Sequence, residues 1–327
     1  MRISTRASGT NAMANDTATV PEEIDQHIDV ALLHTDSRFR FRERLRKDPL
    51  FLIGSIIVAL SLFLAAFGPH IAPYDPTAAT SEIAEPPPAL SEWPGLLVGM
   101  IRGTNETPPH WLGTDQSGLD VFSRVIAAPR TDITIALAGA LLSLALGTIL
   151  GLIAGFYRNW ATEIVMRVSD VLQAFPVFIT AMLLVTLSGR SVSNIVIALA
   201  LVYTPIFVRL TRAEVMSQSA RGYVEAARAA GNRPFMIALK HILPNSMVPA
   251  LVQTSVTIGF AIILTAGLSF VGAGVRPPAP EWGLMISHGA SQLILGEWWT
   301  SVFPGIAMTI TVFGYAAIAR AFEEWFR

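Results

Sequence analysis

Two lysines, six histidines and no cysteine narrow the chemistry open to this 327-residue chain. A P-loop requires Gly-Lys-Ser/Thr, because its lysine reaches the phosphates and its hydroxyl holds magnesium. Lys47 stands between Arg46 and Asp48, and Lys240 between Leu239 and His241. Neither is a Walker lysine, so the sequence predicts no ATP hydrolysis by that route. The lack of cysteine removes disulfides, thiol nucleophiles, iron–sulfur clusters and Cys-ligated zinc. His27, His34, His70, His110, His241 and His288 form no HExxH pair and none lies at the middle of an apolar stretch, which argues against a zincin or an intramembrane protease. No nucleophile–base or metal constellation is visible, and the chain reads as a non-enzyme with no cofactor of its own.

The composition is 52% hydrophobic and only 14% charged, with mean hydropathy +0.51. A soluble domain carries about 25% charged residues, so much of this apolar surface must face lipid. The net charge of −1 lacks the basic excess of a nucleic-acid binder. Six stretches approach the roughly 20 apolar residues needed to cross a ~30 Å hydrocarbon core: 49–68, 131–157, 162–187, 193–210, 247–271 and 299–321. The fold class is therefore an all-α integral membrane protein with six transmembrane helices. With the N-terminus inside, 18 of the 23 Lys and Arg fall on inner segments and five outside, so the positive-inside rule places both termini in the cytoplasm.

This divides the chain into a cytoplasmic tail at 1–48, the first helix at 49–68, an extracytoplasmic segment at 69–130, a five-helix core at 131–321, and a cytoplasmic end at 322–327. In the tail, Glu22, Glu23, Asp25 and Asp29 surround Ile24, Ile28 and Leu32, fitting a short surface helix or a disordered segment. The basic run from Arg38 to Lys47 is a topology anchor or an anionic-lipid contact. Pro86-Pro87-Pro88 and Pro108-Pro109 mark the outer segment as extended.

Within the spans, Gly139, Gly147, Gly151 and Gly155 form a small-residue stripe, as a packing face or a sliding surface. Pro176 and Pro205 interrupt the third and fourth spans and are candidate hinges. Asp170, one turn after Arg167, is the best intramembrane acid and a candidate gate; it reads equally as a neutralised pair. No second buried acid offers a proton relay of the kind that ion-coupled carriers place near the midplane.

The segment at 221–245 is the most informative. Arg221-Gly222-Tyr223-Val224-Glu225-Ala226-Ala227-Arg228-Ala229-Ala230 predicts a short helix over 223–230, Gly231 stops it in a C′ position, and Pro234 opens a second helix. Glu225-Ala226-Ala227, Gly231 and Leu243-Pro244 resemble the EAA loop of ABC-importer permeases, whose coupling helix docks into a groove on an ATPase subunit. His241 stands where that pattern has isoleucine.

Four further motifs, in order, resemble the C-type permease of dipeptide/oligopeptide importers: Ile71-Ala72-Pro73-Tyr74-Asp75-Pro76; His110-Trp111-Leu112-Gly113-Thr114-Asp115 with Gly118, Asp120, Ser123 and Arg124; Pro277-Pro278-Ala279-Pro280-Glu281-Trp282-Gly283; and Trp298-Trp299 with Phe303-Pro304-Gly305. Leu119 replaces a usual arginine, and Ala319-Arg320-Ala321 lacks the usual glycine–aspartate. Read physically, Asp115 or Ser117 caps a short surface helix bearing Val121, Phe122, Val125 and Ile126, Asp120 pairs with Arg124, and Trp282, Trp298 and Trp299 anchor at the interface.

The resemblance implies a type I permease fold in a bacterial or archaeal plasma membrane. It also implies a homologous second permease, two ABC ATPase subunits that bind the ATP and magnesium, and an extracytoplasmic substrate-binding protein. Peptides are the family's default cargo, although nickel chelates, glutathione-like peptides and oligosaccharides pass similar permeases. The rival reading is a stand-alone secondary carrier or channel.

Overall fold

The computed structural model describes residues 48–102, 108–157 and 159–326. The expectations for residues 1–47, and for Arg158 and Arg327, lie outside the described residues. Every named element is helical. In chain order these are α1 (Pro49–Ile71), α2 (Trp93–Arg102), α3 (Val121–Phe156), α4 (Trp160–Ala174), α5 (Val177–Ser188), α6 (Val192–Ser219), α7 (Gly222–Ala229), α8 (Pro234–Ile237), α9 (Leu243–Ser246), α10 (Val248–Phe270), α11 (Trp282–Gln292) and α12 (Trp299–Phe326). A wide turn over Ala238–Ile242 joins α8 to α9.

Helices α1, α3, α6, α10 and α12 are each long and apolar enough to cross a membrane, and α4 with α5 makes a sixth span if the bent pair counts as one. The third span expected at 162–187 is thus not continuous: its halves meet at 97°. Phe175, forced away from helical angles by the following proline, takes φ −92° and ψ 145°. At 1.5 Å per residue, neither half alone spans ~30 Å. Pro205, by contrast, lies inside an unbroken α6.

The second span begins ten residues earlier than expected. Val121, Phe122, Val125 and Ile126 belong to the 36-residue α3 rather than to a separate surface helix, and α2 gives the 69–130 segment helical content of its own.

Helix α3 is the axis, and α6 is its most extensive partner. Gly139, Gly147, Gly151 and Gly155 all meet α6, so the stripe is the contact face between the two helices. A methyl on Gly151 would stand 2.7 Å from Thr211 Cβ and 2.8 Å from the Val208 carbonyl oxygen. Ser143, in the same row, donates to the Gly139 and Ala200 carbonyls at 2.7 and 3.3 Å, bridging the helices. Around this pair pack α1, α10 and α12. Helix α1 and α12 approach at Gly54 and Gly314, while Ile53, Ile56, Leu60, Phe63 and Phe67 of α1 stay exposed, as a lipid-facing helix requires.

Gly151→Ala is expected to cost about 1–3 kcal/mol by overpacking, whereas Gly259→Ala, whose new methyl would sit 3.8 Å from Tyr315 Cβ, should leave stability unchanged or raise it by up to about 1 kcal/mol through the better helix propensity of alanine. Thermal unfolding of the two variants in detergent, compared with the parent, measures the difference.

Candidate functional site

Two sites sit at opposite ends of α3. At its start, the separate motifs of the sequence tie into one knot. Asp120 is the N-cap of α3: Oδ2 accepts from the Ser123 amide at 2.7 Å, and Oδ1 lies 2.7 Å from His110 Nδ1. Asp120 therefore serves as cap and histidine partner rather than as the i, i+4 mate of Arg124. Arg124, buried, donates from Nη1 to the carbonyls of Pro76 and Pro278, each at 3.0 Å, stitching the segments around Tyr74 and Pro277 to α3. The Tyr74 amide donates to Ser123 Oγ at 3.1 Å. Asp115 caps its own turn, Oδ1 accepting from the Ser117 and Leu119 amides, and Gly118 at φ +72° closes that turn in the left-handed region.

Glu281-Trp282-Gly283 is buried at this end, not interfacial. Glu281 caps α11 through the Gly283 and Leu284 amides. The Trp282 amide donates to Asp132 Oδ2 at 3.1 Å, and its indole Nε1 donates to the Val125 carbonyl at 3.2 Å. The second bond has a specific cause. Pro129, inside α3, has no N–H to offer the carbonyl four residues back, and the indole takes that role. Trp299 is also buried, donating to the Thr114 carbonyl at 3.0 Å, whereas Trp298 remains 47% exposed, as an interfacial anchor would.

At the far end of α3, the 221–245 segment folds close to expectation. Helix α7 ends in a Schellman motif: the Gly231 amide donates to the Arg228 carbonyl and the Asn232 amide to the Ala227 carbonyl, at 3.0 and 3.2 Å. Gly231 holds φ +80°, which glycine adopts at no steric cost. Only Val224 of α7 is buried. It joins Val215 of α6 with Ile237 and Ile242 in a small cluster, against Leu152 and Phe156 of α3. Glu225, Ala226, Ala229 and Ala230 are exposed, as are Phe235, Met236 and Leu239. Before Pro244 the chain widens, the Leu243 amide donating to the Ala238 carbonyl five residues back; this relieves the clash a proline ring makes with the carbonyl at i−4. Leu243 is half-buried and Pro244 exposed.

Asp170 does not pair with Arg167. Its Oδ1 accepts from Arg209 Nη2 at 2.9 Å, with both side chains about half exposed, so the pair links α4 to α6. Pro176 lies at the 97° break and Pro205 is buried in α6. The Val215–Val224 contact was not visible in sequence, since a valine's place on its own helix does not say which residue of another helix it meets. The Tyr74–His110–Asp120 grouping had a partial one, all three residues falling within the quoted motifs.

Residues 147–327 match the family of binding-protein-dependent transport system inner membrane components, and residues 38–88 match the N-terminal transmembrane domain of oligopeptide transport permease C. The chain is 35% identical over 282 residues to a dipeptide transport system permease protein of Alkalihalophilus pseudofirmus, covering 86% of each. It is 38% identical over 259 residues to a di/tripeptide transport system permease protein of Pseudomonas aeruginosa, covering 79% of this chain and 81% of the other. It is 37% identical over 222 residues to a glutathione transport system permease protein of Pectobacterium atrosepticum, covering 67% and 73%.

Trp282→Phe is expected to destabilise the chain, leaving the Val125 carbonyl without its donor at about 1–3 kcal/mol beyond the loss of packing. In a Pro129→Ala background the helix supplies its own N–H, and that part of the loss should disappear. A double-mutant cycle read by thermal unfolding checks this; equal losses in both backgrounds would contradict the pairing.

Proposed function

This chain belongs to the binding-protein-dependent transport system inner membrane components, of the C type found in dipeptide/oligopeptide ABC importers, and we propose that its cargo is peptides. It is a multi-pass permease subunit, and in our reading it forms the passage together with a homologous second permease. Two ABC ATPases bind and hydrolyse the ATP, and an extracytoplasmic binding protein delivers the cargo. The names of the relatives, which carry dipeptides, di- and tripeptides or glutathione, support short peptides.

The observation that carries the coupling role is the seating of α7. Val224 pins the helix to α3 and α6, while the exposed face with Glu225, Ala226 and Ala229 has small side chains that let a partner come close. A push on α7 is passed through Val215 to α6 and through Phe156 to α3, the two helices locked by the glycine face. Ala227, Gly231, Leu243 and Pro244 shape the element that receives the push. In the same reading, Asp170 and its partner Arg209 form a surface pair between α4 and α6 that breaks and reforms as the bent span moves about Pro176, with Pro205 adjusting α6. ATP binding shifts the two-state equilibrium only as far as the ATPases hold α7 differently in each state.

Gly231→Pro forbids φ +80° and removes the amide that closes the Schellman motif, and Glu225→Lys reverses the charge on the exposed face. Both are expected to lower ATP-dependent peptide uptake by at least about tenfold with membrane insertion preserved, since losing about 1.4 kcal/mol of coupling is tenfold. Undiminished uptake with normal ATPase association in both would overturn the coupling role.

The orientation proposed, with both termini and α7 in the cytoplasm, is tested with single cysteines, because the chain has none of its own. An impermeant maleimide should label Ser117→Cys in intact cells and Ala226→Cys only after permeabilisation; the reverse pattern would invert the topology.

A further inference from the structure

Beside the knot at the start of α3 lies a group of side chains outside the proposed coupling path. Glu82, Glu85 and His110 bring one donor atom each within 4.8 Å of one another. They line a cavity of about 680 Å³ with Glu92, Pro86 and Pro108. The histidine is set up from behind. Its ring is buried, stacks on Tyr74 at a centroid distance of 4.4 Å and an interplanar angle of 22°, and Tyr74 is itself held by its hydroxyl on the Pro108 carbonyl.

Asp120, which accepts an amide as the cap of α3, is an acceptor toward His110 Nδ1 at 2.7 Å. Nδ1 therefore carries its hydrogen. In the neutral ring the Nε2 lone pair then faces Glu82 Oε2, an acceptor, at 3.0 Å. Two acceptors at that distance repel unless a positive species lies between them. The Glu82 and Glu85 carboxyls also approach each other beside the ring, each offering an oxygen to the same small volume.

The strap that carries both glutamates is fastened to the knot by its backbone. The Thr80 amide donates to the Gly118 carbonyl, the Ala84 amide to the Asp115 carbonyl, and the Thr114 amide to the Glu85 carbonyl, at 2.7 to 3.0 Å. The Glu85 amide donates to Thr114 Oγ1 at 2.9 Å. The ligand set is therefore positioned by the fold, and the exposed glutamate side chains keep the freedom to close on an ion.

We propose that Glu82, Glu85 and His110 bind one zinc-type divalent cation, with Asp120 as the partner that fixes the histidine tautomer. The donor set decides the class. One imidazole with carboxylates suits zinc and its neighbours, whereas magnesium and calcium take all-oxygen sets. With bonds of about 2.0–2.1 Å, donors on one ion lie about 3.0–3.4 Å apart, and the Glu82–His110 separation already meets this. A carboxylate behind the ligating histidine is the usual outer-shell arrangement, and the cavity leaves room for water in the remaining positions. The ion would clamp the 80–85 strap to the start of α3.

The test uses the full-length, tag-free chain in nanodiscs, titrated with Zn²⁺ by calorimetry and with Co²⁺ by its visible absorption. Saturable binding of one ion per chain is expected, with a rise in melting temperature on adding Zn²⁺. The exposed variant Glu85→Gln should weaken binding by at least about tenfold, and Glu82→Gln with Glu85→Gln should abolish both the binding and the rise in melting temperature while leaving the metal-free melting temperature near that of the parent. If only a proton occupies the gap, no saturable Zn²⁺ binding occurs and the proposal fails. Binding undiminished in the double variant would place the ion elsewhere and equally overturn it.

Discussion

The close contact between α3 and α6 is the constraint on which the other features rest. In a bilayer, lipid tails solvate apolar side chains as well as a neighbouring helix does, so helices hold together by approach of backbones and by interhelical hydrogen bonds. Gly139, Gly147, Gly151 and Gly155 provide the approach, with Ser143 bridging to the Ala200 carbonyl. Because α3 runs 36 residues, about 54 Å at 1.5 Å each, its two ends carry different devices on one rigid axis. The polar knot is at its start, and the Val215–Val224 seat of α7 is at its finish.

Backbone satisfaction explains much of the remainder, and the prolines show how differently the same deficit is met. Inside a membrane protein each freed carbonyl must find another donor. At Pro129 the donor is an indole from a residue 157 positions away from the accepting Val125. At Pro176 the helix ends and resumes at 97°. At Pro244, which is exposed, the turn widens instead, the Leu243 amide reaching Ala238 so that the ring clears the carbonyl four residues back. One residue type thus yields a continuous helix, a broken one and a bulged one, according to what lies within reach.

The parts legible in sequence were those governed by local chemistry. The length of an apolar run sets a span, and Gly231 stops α7 because the Schellman geometry concerns only residues 227–232. The EAA-like residues were therefore recognisable, along with the helix–turn–helix that bears them. Asp170 was legible as an unusual charge, but its partner was misassigned to Arg167 on the same helix when Arg209 on α6 takes that place. Arg124 was read through its neighbour Asp120 for the same reason, while its partners, the carbonyls of Pro76 and Pro278, come from distant segments.

The sequence by itself determined a multi-span helical membrane protein, its family motifs, the stops of its short helices and the small-residue face that would pack. Each depends on composition or on spacing within a turn or two. Only the tertiary structure decided that Glu281-Trp282-Gly283 is a buried staple and that the third span is sharply bent. It alone brought Glu82, Glu85 and His110 together around one cavity. A hydrogen-bond partner from far along the chain becomes available only when helices pack, and periodicity along one helix carries no information about what a second helix presents to it.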